Sequence, residues 1–171
     1  MKIENIYKVA EDHFFAKNYS DVKLDNIANA LDIRKPSLYY YFEDKKSLFL
    51  HTLKYSMNNY IQDFKEIINK QDIEKFLEWY LVYPSEKRNL FAVSFQKWHC
   101  VDKEVNSSIY SWKVLVDRMM DEFISEFCSN QVRKYLLINL LDKLAKDNCV
   151  DWYCLKYNIK DILPEIKRFL D

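Results

Sequence analysis

Apolar positions recur three and four residues apart along almost the whole chain, which is the period of a helix and not of a strand. Ile3, Ile6, Tyr7, Ala10 and Phe14 form the first stripe and predict a helix ending near Lys17 and Asn18. Asn18 stands where a left-handed cap would close that helix. Leu24, Ile27, Ala28 and Leu31 predict a short second helix, with Ser20 or Asp21 as candidate caps. Asp32 interrupts the stripe, and a left-handed backbone is expected there. Pro36 then suits the first turn of a third helix, about Pro36 to Tyr41, because its missing N–H has no helical partner at that position.

Longer stripes follow. A fourth helix is predicted from Asp44 and Lys45, with Phe49, Leu53, Met57, Tyr60, Phe64 and Ile67 on one face. Asp72 reads as the N-cap of a fifth, with Ile73, Phe76, Leu77, Tyr80 and Leu81 inward and Pro84-Ser85 ending it. Leu90, Phe91, Phe95 and Trp98 mark a sixth. Val105, Ile109, Trp112, Val116, Met119, Phe123 and Phe127 form the longest stripe, suited to antiparallel packing on a neighbour. Two last helices are expected at 131–154 and 159–170, with Pro164 starting or kinking the second. The fold class is therefore all-α: a three-helix head, residues 1–46, joined through a long helix to a helical body, residues 47–171.

Composition narrows the chemistry. The chain has 171 residues and no glycine. That excludes a Walker A loop, a G-x-G-x-x-G turn, a G-x-S-x-G elbow and a standard EF-hand loop, each of which needs glycine backbone geometry. Cys100, Cys128, Cys149 and Cys154 lack metal-ligand spacing, and His13, His51 and His99 form no ligand pair. No catalytic set, metal or cofactor is expected, so the chain does not read as an enzyme. No signal peptide or membrane span is indicated, and the expected location is the cytoplasm. Basic and acidic residues balance at 26 each, so net charge gives no pull toward DNA. Within Ile33 to Lys46, however, Arg34, Lys35, Lys45 and Lys46 face only Glu43 and Asp44.

The informative stretch is Lys23 to Lys46. Ile27, Ala28, Leu31, Ile33, Leu38 and Phe42 are spaced to make a small shared core around two helices and a tight turn. This is a helix-turn-helix pattern, whose second helix can enter a DNA major groove. The stretch resembles the TetR family of bacterial regulators. The resemblance rests on Phe14/Phe15 and Tyr19, on Ile27-Ala28, and on Pro36-Ser37-Leu38-Tyr39-Tyr40-Tyr41-Phe42 followed by Lys45 and Leu48, and it covers about residues 1–55. The family usually has glycine at 18 and 32, where this chain has Asn and Asp. It usually opens its second helix on Thr or Ser, here replaced around Val22-Lys23, and Arg34 stands where a small capping hydroxyl is common.

The resemblance implies a transcriptional regulator, and a repressor in particular, acting as a homodimer on a palindromic double-stranded operator. Lys23, Arg34, Lys35, Pro36, Ser37, Tyr39, Tyr40 and Lys45 would then lie on DNA. It also implies a body pocket for a small apolar or aromatic effector, with Tyr60, Phe64, Trp79, Tyr80, Phe91, Phe95, Trp98 and Trp112 as candidate lining. Aromatics at helical spacing are equally consistent with plain core. The alternative is a regulator without small-molecule control, its body serving dimerisation or protein binding; a helical enzyme is the remote third reading. For the dimer interface, Leu137, Leu141, Leu144, Ile162, Ile166 and Phe169 are the candidates, because the last two helices carry more apolar residues than one inward face needs.

Overall fold

The computed structural model describes residues 2–86, 102–150 and 159–170. Among them the chain forms eight α-helices and no strand: α1 (Ile3–Phe14), α2 (Leu24–Ala30), α3 (Lys35–Tyr39), α4 (Lys45–Ile68), α5 (Ile73–Glu86), α6 (Lys103–Ser125), α7 (Gln131–Val150) and α8 (Ile159–Lys167). The sixth predicted helix, around Leu90 to Trp98, lies outside the described residues.

In the head, Ile6, Ala10 and Phe14 recur every fourth residue and bury the inner face of α1 against α4. Phe14 meets Phe49 of α4 edge-on at 5.1 Å, and Tyr19 packs on the same Phe49 at 5.3 Å. Ile27 and Ala28 of α2 and Leu38 and Phe42 around α3 complete this core. A part-buried polar link joins the same two helices, Ser56 Oγ donating to Glu11 Oε1.

The turn between α2 and α3 is the feature that glycine's absence makes demanding. Asp32 adopts φ 54°. Its N–H donates to the Asn29 carbonyl at 3.0 Å, and the Ile33 N–H donates to the Ala28 carbonyl at 3.0 Å. These two bonds are a Schellman closure with Asp32 in the left-handed position that glycine usually fills. Asn18 differs from expectation: it has φ −60° and opens a short 3-10 turn, Tyr19–Asp21. Its side chain explains why, since Asn18 Nδ2 donates to Asp21 Oδ2 at 3.2 Å and holds the turn in an extended entry. Neither Ser20 nor Asp21 caps α2. Its N-cap position is Lys23, which supplies no side-chain bond.

α4 spans 24 residues and opens on Asp44, whose carboxylate accepts from the Ser47 N–H at 2.6 Å. Its first half belongs to the head core and its second half to the body, where it packs on α5 and α6. Asp72 caps α5 as predicted, accepting from the Lys75 N–H at 3.1 Å. α5 runs through Pro84 to Glu86 instead of stopping at the proline. A proline removes its own N–H and its ring crowds the carbonyl four residues back, a disturbance that here falls in the last turn of the helix. α8 likewise starts five residues ahead of Pro164 and contains it. In α6 the buried line drifts to Met120 and Ile124, leaving Met119 and Phe127 half-buried. A straight helix at 3.6 residues per turn moves off a near-heptad stripe in this way. α5 packs against α4, α7 and α8, and α6 against α4 and α7.

Candidate nucleic-acid interface

α3 is anchored by Leu38 and Phe42, both buried, so the rest of its surface turns to solvent. Pro36 sits in the first turn as expected, with Arg34 at the N-cap. Arg34, Pro36 and Ser37 are exposed, and Lys23 is exposed at the start of α2. All three tyrosines are exposed too: Tyr39 at 48 %, Tyr40 at 86 % and Tyr41 at 43 %. Rings this open lie outside the core and leave their hydroxyls available to phosphates or base edges. The Tyr40 and Tyr41 rings meet edge-on at 5.4 Å, which stiffens the outer end of the helix.

The lysines are held by the protein itself. Lys35 Nζ lies 2.8 Å from Asp25 Oδ2 on the first turn of α2. The hydrogen bond from Lys35 holds the Asp25 carboxyl below its ordinary value, and the same bond raises the Lys35 ammonium. Lys45 Nζ stands 4.4 Å over the Tyr19 ring and donates to the Ser20 carbonyl at 3.3 Å. Partial burial pushes the Lys45 ammonium down. Lys46 Nζ reaches the body, at 2.6 Å from Asp102 Oδ2 and 3.3 Å from Glu104 Oε2. Asp25 was not among the residues predicted from sequence, and Lys46 was read there only as a flanking cation, not as a tie to the body. Their partners are ten and fifty-six positions away, and no helical period announces such pairs.

The body's candidate residues separate into two groups. Tyr60 and Phe64 are fully buried in a packed aromatic cluster: Tyr60 lies 5.6 Å from Trp79 and 5.2 Å from Trp112, and Phe64 lies 5.5 Å from Phe76. Burial drives the Tyr60 and Tyr80 hydroxyls far above their ordinary range. Phe91, Phe95 and Trp98 lie outside the described residues. An open groove of about 370 Å³ runs instead between α4 and α6, with Met57, Ile61, Trp112 and Leu115 as apolar lining and Lys54 and Asn58 among its polar groups. Of the predicted lining, Trp112 reaches it.

Leu137, Leu141 and Ile166, taken from sequence as interface candidates, face their own core, and Leu144, Ile162 and Phe169 are half-buried against it. Spacing every fourth residue turns Leu137 and Leu141 onto α5. The open apolar surface of α7 is instead Val132, Tyr135 and Leu136, at 68 %, 67 % and 48 % exposure. Among the described residues no cluster of metal-ligating side chains occurs, and no helix is long and apolar enough to cross a membrane.

This geometry defines a helix-turn-helix head on a helical body. Residues 6–52, the segment that holds this head, match the family model of bacterial regulatory proteins, tetR family. Over 41 residues the chain is 44% identical to the biofilm operon icaADBC HTH-type negative transcriptional regulator IcaR of Staphylococcus aureus. That match covers 24% of this chain and 22% of the relative's length. Likeness of fold extends much further. The fatty acid degradation regulator FadR from Bacillus halodurans superposes with a TM-score of 0.71 at 14% identity, over 99% of this chain and 97% of that one. The transcriptional regulator FadR from Bacillus subtilis, solved in complex with stearoyl-CoA, gives 0.72 at 15% identity over 99% and 97%. A regulator of the same broad group from Aquifex aeolicus gives 0.71 at 16% over 98% and 96%. The described residues therefore share the fold of these solved regulators, and residues 6–52 carry the sequence pattern of the family model.

Proposed function

We propose that the protein is a DNA-binding transcriptional regulator of the TetR type, a repressor that works as a homodimer on a palindromic operator in the cytoplasm. One observation carries the reading. The Schellman turn at Asp32 joins α3 to α2, and Arg34, Ser37, Tyr39 and Tyr40 are exposed after it, inside the segment that matches the family model and that also holds Lys45. Arg34 and Lys45 supply phosphate contacts, and the tyrosine and serine hydroxyls supply groove contacts. Two heads must sit about 34 Å apart to read successive major grooves. The exposed apolar strip of α7 supports burial against a second copy.

The effector belongs to the α4–α6 groove in this reading, because the aromatic cluster around Tyr60 is already packed. An apolar or aromatic molecule there would change the angle of α4 and shift the population of DNA-competent heads. The same packed cluster favours the second reading, a regulator whose body only dimerises. Selection of duplexes from a random pool, followed by light scattering of the complex, tests the proposal. Recovery of a palindrome bound by two chains is expected. A strict monomer on DNA, or no enrichment of any sequence, would sink it.

A further inference from the structure

We propose that Asp25 is a specificity residue: by holding the Lys35 ammonium it suppresses binding to DNA of arbitrary sequence. The inference rests on the DNA-binding reading above. Generic affinity for duplex DNA comes from ammonium and guanidinium groups that neutralise phosphates and release counterions. Lys35 opens α3 next to the exposed Arg34 and Ser37, so its reach covers the surface that would meet DNA. Yet its Nζ is 2.8 Å from the Asp25 carboxylate, and Asp25 itself is exposed on the first turn of α2. A phosphate that takes Lys35 must therefore displace one anion to gain another, and it does so beside the freed carboxylate. The exchange yields little at an arbitrary phosphate. It becomes favourable where the ammonium gains a guanine edge, whose O6 and N7 both accept. Three of the four cations between Ile33 and Lys46 are engaged inside the protein, Lys35 by Asp25, Lys45 by the Ser20 carbonyl and Lys46 by Asp102 and Glu104. Of these, only the Lys35 pair is built wholly within the two helices of the motif.

The test is Asp25→Asn, with Lys35→Ala and the double variant, in the full chain. Two labelled probes are used: a random-sequence duplex pool, and a duplex that the parent protein itself selects from that pool. D25N is expected to bind the random pool about three- to tenfold more tightly, with a salt slope steeper by about one unit, the increment for one more phosphate contact. Its gain on the selected duplex should be smaller, so discrimination falls. In the Lys35→Ala background the D25N gain should shrink. Circular dichroism of each variant should match the parent, because the pair is exposed. Random-pool affinity unchanged or reduced in D25N overturns the inference and leaves the DNA-binding reading standing. So does an equal gain on both probes. A parent protein that binds neither probe removes both.

Discussion

Lys46, on the first turn of α4, lies 2.6 Å from Asp102, the N-cap of α6, and so ties the helix-turn-helix head to the body at a point remote in sequence. Asp102 does two tasks at once, since it also accepts from the Glu104 N–H at 2.8 Å. The Lys46 hydrogen bond is the first cause that lowers the Asp102 carboxyl. A carboxyl depressed in the folded state contributes stability above its unfolded pKa and loses it as pH falls through the folded value. The tie should therefore be intact at neutral pH and open in acid. Asp102→Asn keeps a good cap and removes the charge. Amide hydrogen exchange should then quicken at residues 45–50 and stay unchanged at 60–67. Equal protection in both variants across both segments would contradict the tie.

In the proposed interface, Tyr40 and Lys45 stand for two kinds of DNA contact. Tyr40 is 86 % exposed, so Tyr40→Ala should leave folding stability within about 0.5 kcal/mol of the parent while weakening binding to the selected duplex. Lys45→Ala should weaken binding to every duplex and make the salt slope shallower by about one unit. Anisotropy titrations across a salt series read both effects. Binding unaltered in a folded Tyr40→Ala, Lys45→Ala double variant would argue against this face of the head.

At Asp32, with φ 54°, replacement by glycine removes a Cβ from the left-handed region. The Schellman bonds are backbone bonds and survive the change. Asp32→Gly should be neutral or stabilising by up to about 1 kcal/mol in urea titration, once glycine's extra freedom in the unfolded chain is set against the relief. Asp32→Val should be clearly destabilising, since a branched Cβ is least tolerated at positive φ. A marked loss of stability in the glycine variant would assign the Asp32 side chain a bond of its own.

Among the described residues of the body Lys134 is a buried cation, 8 % exposed, with Nζ 2.8 Å from Asp121 Oδ1 and 3.0 Å from Ser125 Oγ. Its partner Asp121 is half open to water, so removing the ammonium strands no buried charge. Lys134→Met should be neutral or raise the melting temperature, because a buried ion pair often gains less than its desolvation costs. Lys134→Ala should lower it by leaving a void. If methionine proves as harmful as alanine, the pair itself is stabilising.

Much of the architecture was readable before the structure, and the reasons differ by element. Ile6, Ala10 and Phe14 announced α1 because one clean stripe on an exposed helix has a single way to face a core. Asp32 announced its turn because it breaks the stripe where the resembling family has glycine, and Asp tolerates left-handed backbone better than most residues. Asn18 misled, since the same residue type can enter the left-handed region or bond its neighbour Asp21, and here it does the latter. The leucines of α7 misled for another reason. Leu136, Leu137, Leu140, Leu141 and Leu144 cover so wide an arc that the pattern fixes no rotation about the helix axis, and packing on α5 decided it. The ion pairs of Asp25 and Lys46 were invisible, because they depend on where whole helices cross.

The helix that links the two regions also decides how the molecule comes apart. Phe49 and Leu53 are locked into the head while Tyr60 and Phe64, along the same helix, are locked among the rings of the body. Melting either end removes one wall of the other, and the part-buried contact of Glu11 with Ser56 sits between them. Head and body therefore constitute a single cooperative unit, and calorimetry should show one endotherm whose van't Hoff and calorimetric enthalpies agree. A head cut free at residue 46 would lack Phe49, the ring on which Phe14 and Tyr19 converge, and would not hold its shape.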